Sequence, residues 1–418
     1  MVFKCQEDSF LKKFSSTVIK CEPTTEPVVE YGKTTPFQGY QVTLENTILF
    51  PAGGGQPHDI GRLNETEVVQ VLRKGNEAVH FTKEPLEVGA VVVQELDWER
   101  RFDHMQQHSG QHLLSAILEK EFQTATTSWW LGCDESYVEL DKPTITNDVI
   151  NCVEKRCNDL IKEAVPVTVK ICKVSDSDVN EAHTRGLPKD CMDTIRIICI
   201  GDFDENMCCG THVTNLSQLQ MIKLLGTEPG KKGKTILKFL VGNRVIKVFQ
   251  KMLDREKVLT GLLKNEPSRH DELIQKLQKN LKVANKNLQN VLLELAQYEV
   301  EKIKKADPKP KYVIMFKKEA TPEFNRAIIK GLECENLFIF LASEDPDKPR
   351  EGQIIIQGPV EHCNALGDKI TELLKGKGKF NNGKFQGKAG DLCAMDKCKK
   401  LIEEYFECLD KKPVQNTP

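Results

Sequence analysis

The sequence predicts a mixed α+β protein of several domains: a small N-terminal β-barrel, a two-layer α+β domain that contains zinc, a coiled-coil-like helical segment and a small C-terminal α/β domain. Three observations support this prediction. Apolar and polar residues alternate early in the chain, helix-like and strand-like segments follow without strict βαβ alternation, and a heptad pattern precedes a proline-rich linker. We place the domains at 1–97, 98–245, 246–306 and 307–418.

The composition is that of an ordinary globular protein. The chain has 418 residues, of which 39% are hydrophobic and 29% are charged. Its net charge of −2 does not by itself indicate a nucleic-acid partner. No apolar run approaches the ~18 residues of a membrane span, no secretory signal is visible, and the 15 cysteines are scattered as in proteins with reduced thiols. We therefore expect a soluble, cytoplasmic protein without a membrane segment.

The first domain is predicted from period-two alternation, as between Tyr40 and Leu44, and from a hairpin turn at the sequence KGN. Between these features lies PAGGGQP, with three consecutive glycines. Glycine permits positive φ and lets another group approach the backbone closely. Two interpretations stay open: a turn within the barrel, or a backbone surface pressed against a substrate or the neighbouring domain. We take Gly54, Gly55 and Gln56 as candidate substrate contacts.

The second domain opens with the stretch Phe102 to Phe122, which predicts an amphipathic helix. It places His108 and His112 four residues apart, on one face of the helix. Much later the chain supplies Cys208 and His212, which are also four apart. A His-x3-His pair and a Cys-x3-His pair give four ligands of the kind that zinc takes. We therefore expect the two segments to share one zinc ion per chain.

The spacing excludes one class of zinc enzyme and leaves a question open. Helical zinc proteases carry a glutamate directly after the first histidine, and here that position is Ser109. Structural zinc sites tend to use closely spaced cysteine pairs, but four protein ligands could also close the coordination sphere here. Cys209 lies beside Cys208, yet only Cys208 has the four-residue offset to His212. A catalytic and a structural ion both remain possible interpretations.

The rest of the second domain is predicted from shorter patterns. An apolar face indicates a helix over 148–164, with Asn147 as its N-cap. The segments 167–171 and 195–200 are typical of strands, and 221–241 is typical of a hairpin that turns at EPGKKG.

The helical segment follows a break at Pro267. Apolar residues then alternate at spacings of three and four from Ile274 to Tyr298, over more than three heptads. One interpretation is a spacer helix packed on its own chain. The other is a homodimer formed through this helical segment.

The C-terminal domain is predicted from three short apolar strands at 312–316, 337–341 and 353–356 and from two helices. A flexible, basic loop over 376–388 should follow, with two aromatic residues. Such a loop can track a phosphate backbone and stack on a base, or it can be a solvated surface. We expect contacts to RNA phosphates from this loop and from the 221–241 hairpin, by Lys231, Lys232, Lys379 and Lys384.

The motifs HSGQH and CCGTH, preceded by GGGQP, resemble the editing part of alanyl-tRNA synthetase and its free-standing relatives, the AlaX-type alanyl-tRNA editing proteins. The family pattern is H-x3-H with C-x3-H, and His108, His112, Cys208 and His212 match it. The helical segment and the glycine-rich C-terminal part extend the resemblance to the larger, C-terminally extended class. The family often has glycine where Cys209 stands, and no aminoacylation module is visible.

The resemblance implies a trans-acting, zinc-dependent hydrolase that deacylates tRNA(Ala) mischarged with serine, with glycine as a second candidate. The zinc would activate water or would only position the substrate. We take His108, His112 and Gln111 as the catalytic residues. The alternative function is a non-catalytic, zinc-containing tRNA-binding module. Four side chains near the histidine helix are candidate partners for the serine hydroxyl or for water: Gln107, Gln111, Thr127 and Ser128.

Overall fold

The computed structural model confirms a mixed α/β fold of more than one domain. The chain divides into two compact units, Met1–Val258 and Leu259–Pro418. Our four-part division into domains stays a prediction. Among the described residues, no helix is both long and apolar enough to cross a bilayer. The residues that the structure describes are 2–173, 194–318, 320–333, 335–381 and 383–410.

The first unit begins with a short helix and a group of eight strands. The helix is α1 (Lys4–Glu7). The strands are β1 (Lys13–Thr24), β2 (Val28–Glu30), β3 (Lys33–Thr35), β4 (Gly39–Leu44), β5 (Gly61–Leu63), β6 (Thr66–Lys74), β7 (Glu77–Thr82) and β8 (Val91–Leu96).

Six of these strands form an antiparallel barrel in the order β1-β4-β7-β6-β5-β8, in which β8 pairs back with β1. The barrel is filled by the inward side of the alternation, for example by Val18, Val42 and Val71. Strands β6 and β7 turn at Gly75, which has φ of 62°, as the KGN signal predicts. Strands β2 and β3 form a separate hairpin.

Helix α2 (Trp98–Phe122) is the predicted histidine helix, and most of its residues are buried. Asp97 caps its N-terminus by accepting a hydrogen bond from the backbone N–H of Arg100. All residues from 104 to 114 are buried, so the helix is enclosed on every side rather than amphipathic. At Gly110 a Cβ atom would lie 2.5 Å from Val241, so glycine is needed for the close packing of helix and sheet.

The remaining elements of the first unit surround α2. They are β9 (Thr126–Leu131), β10 (Ser136–Leu140), α3 (Asn147–Lys162), β11 (Val167–Lys173), β12 (Thr194–Ile200), β13 (Asp204–Met207), β14 (Ile222–Pro229) and β15 (Thr235–Val241). One sheet has the order β14-β15-β10-β9, and the other has the order β11-β12-β13. The N-cap of α3 is Thr146, whose side chain accepts from Val149 N, so our prediction of Asn147 as the cap is wrong by one residue.

Two helices make up the predicted helical segment, α4 (Asn243–Leu263) and α5 (His270–Lys304), with the expected break at Pro267. In α5 the heptad residues divide into two groups. Near its C-terminal end, Ala296 and Val300 are buried in the core of the second unit. Earlier in the helix, Leu281 and Val291 are 63% and 60% exposed. The spacer interpretation therefore accounts for only the last part of the helix.

The second unit continues with β16 (Tyr312–Phe316), α6 (Pro322–Leu332), β17 (Phe338–Asp345), β18 (Lys348–Gln357), α7 (Val360–Leu373), β19 (Lys377–Asn381), β20 (Lys384–Ala389) and α8 (Met395–Asp410). Its sheet has the order β16-β17-β18-β20-β19, and only β16 and β17 run parallel.

The prediction of a flexible loop over 376–388 is wrong, because most of this segment forms the hairpin β19–β20 at the edge of that sheet. Glycines at 378 and 387 pair directly across the two strands, and Phe385 is buried in the core. The glycines are therefore required by close strand packing as well as by turning. On β20, Lys384 and Lys388 are both exposed, as period-two geometry requires for residues four apart.

Candidate metal centre

Four side chains from two distant segments meet inside the first unit. His108 and His112 lie on α2, and Cys208 and His212 lie in the segment after β13. Their ligand atoms all lie within 4.8 Å of one another. The sulfur of Cys208 lies 3.4 Å from His108 Nε2 and 3.2 Å from His212 Nε2. These are the four residues that spacing alone predicts as ligands, and the structure brings them together.

Two distances within the cluster are close to those of a tetrahedral metal site. With a Zn–S bond of about 2.3 Å and a Zn–N bond of about 2.0–2.1 Å, a sulfur and a nitrogen ligand lie about 3.5 Å apart. The two sulfur–nitrogen distances are close to this value. Three of the residues are buried and Cys208 is partly exposed. Both the donor set and its spacing therefore fit a bound metal ion.

Gln56 holds the ring of His108 in place from the opposite side. Its Oε1 accepts from Thr211 N at 3.0 Å, so His108 Nδ1, at 2.9 Å from the same oxygen, must be the donor. This proton position leaves His108 Nε2 unprotonated and facing Cys208. Gln56 also donates through Nε2 to Thr211 Oγ1 at 2.8 Å. With its amide engaged and buried, Gln56 supports a metal-site residue, whereas we expected a substrate contact.

Ser109 orients the ring of His212, as Gln56 orients the ring of His108. Its hydroxyl lies 3.1 Å from His212 Nδ1 and accepts from Val213 N at 3.1 Å. With Nε2 directed at the sulfur, Nδ1 carries the proton and donates it to Ser109. Ser109, which stands where helical zinc proteases carry a glutamate, therefore connects α2 to His212 of the second ligand pair.

Glycines allow two backbone segments to pack closely at and beside the centre. At Gly210 a Cβ atom would lie 2.2 Å from the ring of His108. Gly54 and Gly55 have φ of 57° and 79°, and a Cβ atom there would lie 2.9 Å from Cys209 Sγ and 2.3 Å from Trp129 Nε1, respectively. The triple glycine therefore presses against the neighbouring part of the chain, which is the second of our two interpretations.

Burial sets the charge state of the cluster. It lowers the pKa of His108 and of His212 well below the usual value for histidine, with a further contribution from the neighbouring rings. It raises the pKa of the Cys208 thiol to about 12. At neutral pH, in the metal-free site, His108 and His212 are therefore neutral imidazoles and Cys208 is a thiol, which must lose a proton to bind a metal ion.

Gln111 directly precedes His112 on α2 and lies three residues after His108, so it is a neighbour of His108 on the helix surface. Its Nε2 donates to Ser115 Oγ at 2.9 Å, and Thr126 Oγ1 donates to that same oxygen at 2.9 Å. Its Oε1 is buried and has no hydrogen-bond partner among the described residues. An acceptor of this kind can bind a hydroxyl group.

Two other hydroxyl candidates lie elsewhere. Thr127 is exposed on β9, where it donates to Glu139 at 2.6 Å and accepts from Lys234 at 3.0 Å. Adjacent strand residues point to opposite faces, and Thr126 is the one that faces α2. Our placement of Thr127 beside the helix is therefore wrong. Gln107 pairs through both amide atoms with the backbone of Val241, which is a packing role.

The predicted RNA contacts are distributed over both units. Lys231 and Lys232 are exposed in the turn between β14 and β15. Lys384 is exposed at the start of β20. Lys379 belongs to β19, but its side chain lies outside the described residues.

Sequence reasoning missed several residues that build the site. Gly210 could have been noticed, because it stands between two ligands in the sequence CCGTH. The sequence identifies Ser109 only as the residue that stands where helical zinc proteases carry a glutamate, and it does not predict the contact with His212. Gln6 and Arg196, which contact the segment between Cys208 and His212, carry no local signal.

Comparison with known proteins agrees with this geometry. Residues 195–238 match the family model described as the threonyl and alanyl tRNA synthetase second additional domain. This range contains Cys208 and His212.

Full-length relatives are also found. The chain is 41% identical over 406 residues to alanyl-tRNA editing protein Aarsd1 of Mus musculus, which covers 97% of this chain and 98% of the relative. It is 32% identical over 429 residues to a putative alanyl-tRNA editing protein alaX of Saccharomyces cerevisiae, with 92% of each covered. It is 31% identical over 262 residues to AlaX-L of Pyrococcus horikoshii, with 61% of this chain and 63% of the relative covered. The chain therefore belongs to the alanyl-tRNA editing protein family.

Proposed function

We propose that this protein is a trans-acting aminoacyl-tRNA deacylase that hydrolyses the ester of serine mischarged onto tRNA(Ala), with glycine as a second substrate. The observation that supports this most is the buried cluster of three histidines and one cysteine in a chain so similar to alanyl-tRNA editing proteins. An ester bond to the terminal ribose is the bond that such a protein would cut.

We propose one zinc ion per chain, held by His108, His112, Cys208 and His212. Three imidazoles and one thiolate are a donor set typical of zinc. A zinc ion at this position would lower the pKa of a bound water toward ~7 and polarise an ester carbonyl, or would bind the amino group of the substrate. The chain's own contribution is orientation, because Gln56 and Ser109 fix two of the rings with Nε2 directed inward.

Gln111 supplies a reason why serine would be distinguished from alanine. A serine hydroxyl can donate to the buried Oε1 of Gln111, whereas alanine leaves this acceptor without a partner. A buried polar group left unpaired costs about 1–3 kcal/mol, and sites built around a hydroxyl discriminate by as much as ~10⁴. Among the predicted catalytic residues, we therefore assign Gln111 to substrate recognition and the histidines to metal binding.

Contacts with tRNA are proposed for Lys231, Lys232, Lys379 and Lys384, and helix α5 adds a further basic surface. Between Leu273 and Leu293 the helix contains no aspartate or glutamate. A phosphate backbone would release counterions on binding these groups, so affinity should fall steeply with salt. The lysines of this stretch of α5 are Lys276, Lys279, Lys282 and Lys286.

The exposed apolar seam of α5 supports a homodimer. Leu277, Leu281 and Val291 follow heptad spacing and are exposed in the single chain. A second copy of the same helix would bury them by knobs-into-holes packing. We also propose that the protein works in the cytoplasm, since none of its 13 described cysteines forms a disulfide.

The proposed function is tested by incubating the protein with Ser-tRNA(Ala), Gly-tRNA(Ala) and Ala-tRNA(Ala), with and without a chelator. We expect hydrolysis of the serine ester, sparing of the alanine ester, loss of activity with chelator and recovery with zinc. His112→Ala should be inactive yet folded, whereas His362→Ala, a histidine of the second unit, should retain activity.

One observation favours the alternative of a non-catalytic tRNA-binding module. Four protein ligands can fill the coordination sphere of zinc and leave no position for water. If that alternative holds, the protein binds tRNA(Ala) without hydrolysing any of the three esters, and His112→Ala unfolds.

A further inference from the structure

The segment that carries Cys208 is held by its backbone carbonyls. Three consecutive carbonyl oxygens accept hydrogen bonds from side chains of other elements. Arg196 Nη1 donates to Cys208 O at 2.9 Å and to Gly210 O at 2.7 Å. Gln6 Nε2 donates to Cys209 O at 2.7 Å. We call these two side chains the carbonyl clamp.

The clamp ties the metal segment to the beginning of the chain. Arg196 also donates through Nε to Gln6 O at 3.0 Å, so that β12 and α1 are joined to each other as well as to the segment. The amide of Gln6 is fixed in turn, because its Oε1 accepts from Phe3 N at 2.9 Å. Gln6 and Arg196 are only 5% and 7% exposed.

Arg196 is unusual for a buried arginine. It forms no ion pair with a carboxylate among the described residues, and its Nη2 is buried without a hydrogen-bond partner there. A buried guanidinium normally requires a carboxylate partner, as Arg101 has in Asp59. The buried position of Arg196 is explained if its role is to hold the backbone carbonyls of the segment that carries Cys208.

The peptide unit between Cys209 and Gly210 connects the clamp to the ligand. Its carbonyl oxygen accepts from Gln6, and its N–H donates to Cys208 Sγ at 3.3 Å. A hydrogen bond to one end of a peptide unit polarises the other end, which strengthens the N–H···S bond.

We propose that Gln6 and Arg196 are positioning residues of the metal centre, which set the sulfur of Cys208 in its binding geometry before the ion arrives. The N-terminal segment is then part of the metal site, although it lies about 200 residues away in sequence from its ligand. This inference rests on the proposed metal site. It adds that the affinity of the site depends on groups that never touch the ion.

The test is a titration of the metal-free protein with Co²⁺. Binding is monitored by the thiolate-to-metal charge-transfer absorption, and the affinity is measured by competition with a chelator. The variants are Gln6→Ala, Arg196→Lys and Arg196→Met. Lysine keeps the charge but cannot span three carbonyls in the geometry of a guanidinium. We expect Co²⁺ affinity to fall about 10-fold for Gln6→Ala and Arg196→Lys and toward 100-fold for Arg196→Met.

The matched controls are buried residues of the same types that hold carbonyls away from the site. Gln70 Nε2 donates to Val29 O at 2.9 Å, and Arg244 Nη1 donates to Gly132 O at 2.7 Å. Gln70→Ala and Arg244→Lys should lower the melting temperature of the metal-free protein at least as much as the clamp variants do. Their Co²⁺ affinity and absorption band should stay as in the wild type.

Four outcomes are distinguishable. A selective loss of affinity with a shifted charge-transfer band in Gln6→Ala supports the clamp. If clamp and control variants lose affinity only in proportion to their melting temperatures, the clamp is a packing feature and the inference is wrong. If the wild type binds no Co²⁺ at all, the proposed metal site fails and the clamp fails with it. If the wild type catalyses deacylation and the clamp variants bind Co²⁺ as the wild type does, the clamp inference is wrong while the proposed metal site stands.

Discussion

The two halves of the metal centre are held in different ways. On the helix side, His108 and His112 are neighbours because of the period of α2, and one element fixes both. On the other side, Cys208 and His212 lie outside regular structure and depend on contacts from Gln6, Arg196 and Ser109. Local geometry creates the first ligand pair, and contacts between distant parts of the chain create the second.

This difference explains where changes should matter. The backbone positions of the helix pair need only that α2 remains a helix at its buried position in the core, and Gln56 is a distant residue that orients a ring of this pair. The second pair needs a segment to keep an irregular path, and each hydrogen bond that fixes this path can be lost separately. Substitutions beside the second pair should therefore alter metal affinity with less effect on the stability of the metal-free protein.

The largest effect is expected for Gly210→Ala. A Cβ atom there would lie 2.2 Å from His108 Cε1 and 2.8 Å from Gln56 Oε1, so the segment or the ring must move. Overpacking of this kind costs about 1–3 kcal/mol, and the upper end corresponds to roughly a 100-fold loss of metal affinity. The measurement is Co²⁺ affinity by competition with a chelator.

Gly261→Ala is the control for this substitution. Gly261 lies in α4, and a Cβ atom there would meet nothing within 4 Å. Alanine should stabilise the helix by up to about 1 kcal/mol and leave metal affinity unchanged. Unchanged Co²⁺ affinity in Gly210→Ala would contradict the prediction, because it would mean that the segment carrying Cys208 and His212 can shift without losing its binding geometry.

The same contrast explains how much of the site could be read from the sequence. The offsets of four residues identified all four candidate ligands, because periodicity is a local property. The clamp could not be predicted, since Gln6 and Arg196 are single polar residues whose partners lie far along the chain. The carbonyls that they hold have no signature in the sequence.

Errors in the fold prediction have a related cause. Thr127 and Thr126 are chemically alike, and only the register of β9 against α2 decides which one faces the helix. The segment 376–388 has the composition of a loop, but its glycines face each other across a hairpin that completes a sheet. Composition therefore gave the wrong answer where strand pairing, a long-range interaction, determines structure.

The pH dependence of metal binding distinguishes the two pairs by their protons. Burial lowers the pKa of His108 and raises that of the Cys208 thiol to about 12. His108 and His212 are therefore already deprotonated near neutral pH, and the thiol must release one proton when it binds the ion. Affinity should rise about 10-fold per pH unit between roughly pH 7 and 9, and Co²⁺ titrations across this range measure the slope.

The sign follows from mass action, because a reaction that releases one proton is favoured as pH rises. A slope near two would show that one of the histidines also carries a proton in the metal-free protein. A slope near zero would show that Cys208 is already a thiolate, with Arg196 as its counter-charge. Either result would change which side of the centre controls the affinity.

The smallest effect is expected for a pair of threonine variants that tests the helix side. Thr126 donates to Ser115, which also accepts from Gln111, so Thr126→Ala should loosen the amide that we propose for serine recognition. One lost hydrogen bond of about 0.5–1.5 kcal/mol corresponds to a roughly 3- to 10-fold loss in kcat/KM for Ser-tRNA(Ala). Thr127→Ala removes only exposed contacts with Glu139 and Lys234, and its kcat/KM should change less than about 2-fold. Equal effects of the two variants would contradict the assignment of Gln111, whereas equal Co²⁺ affinity in both would show that recognition and metal binding are separate on α2.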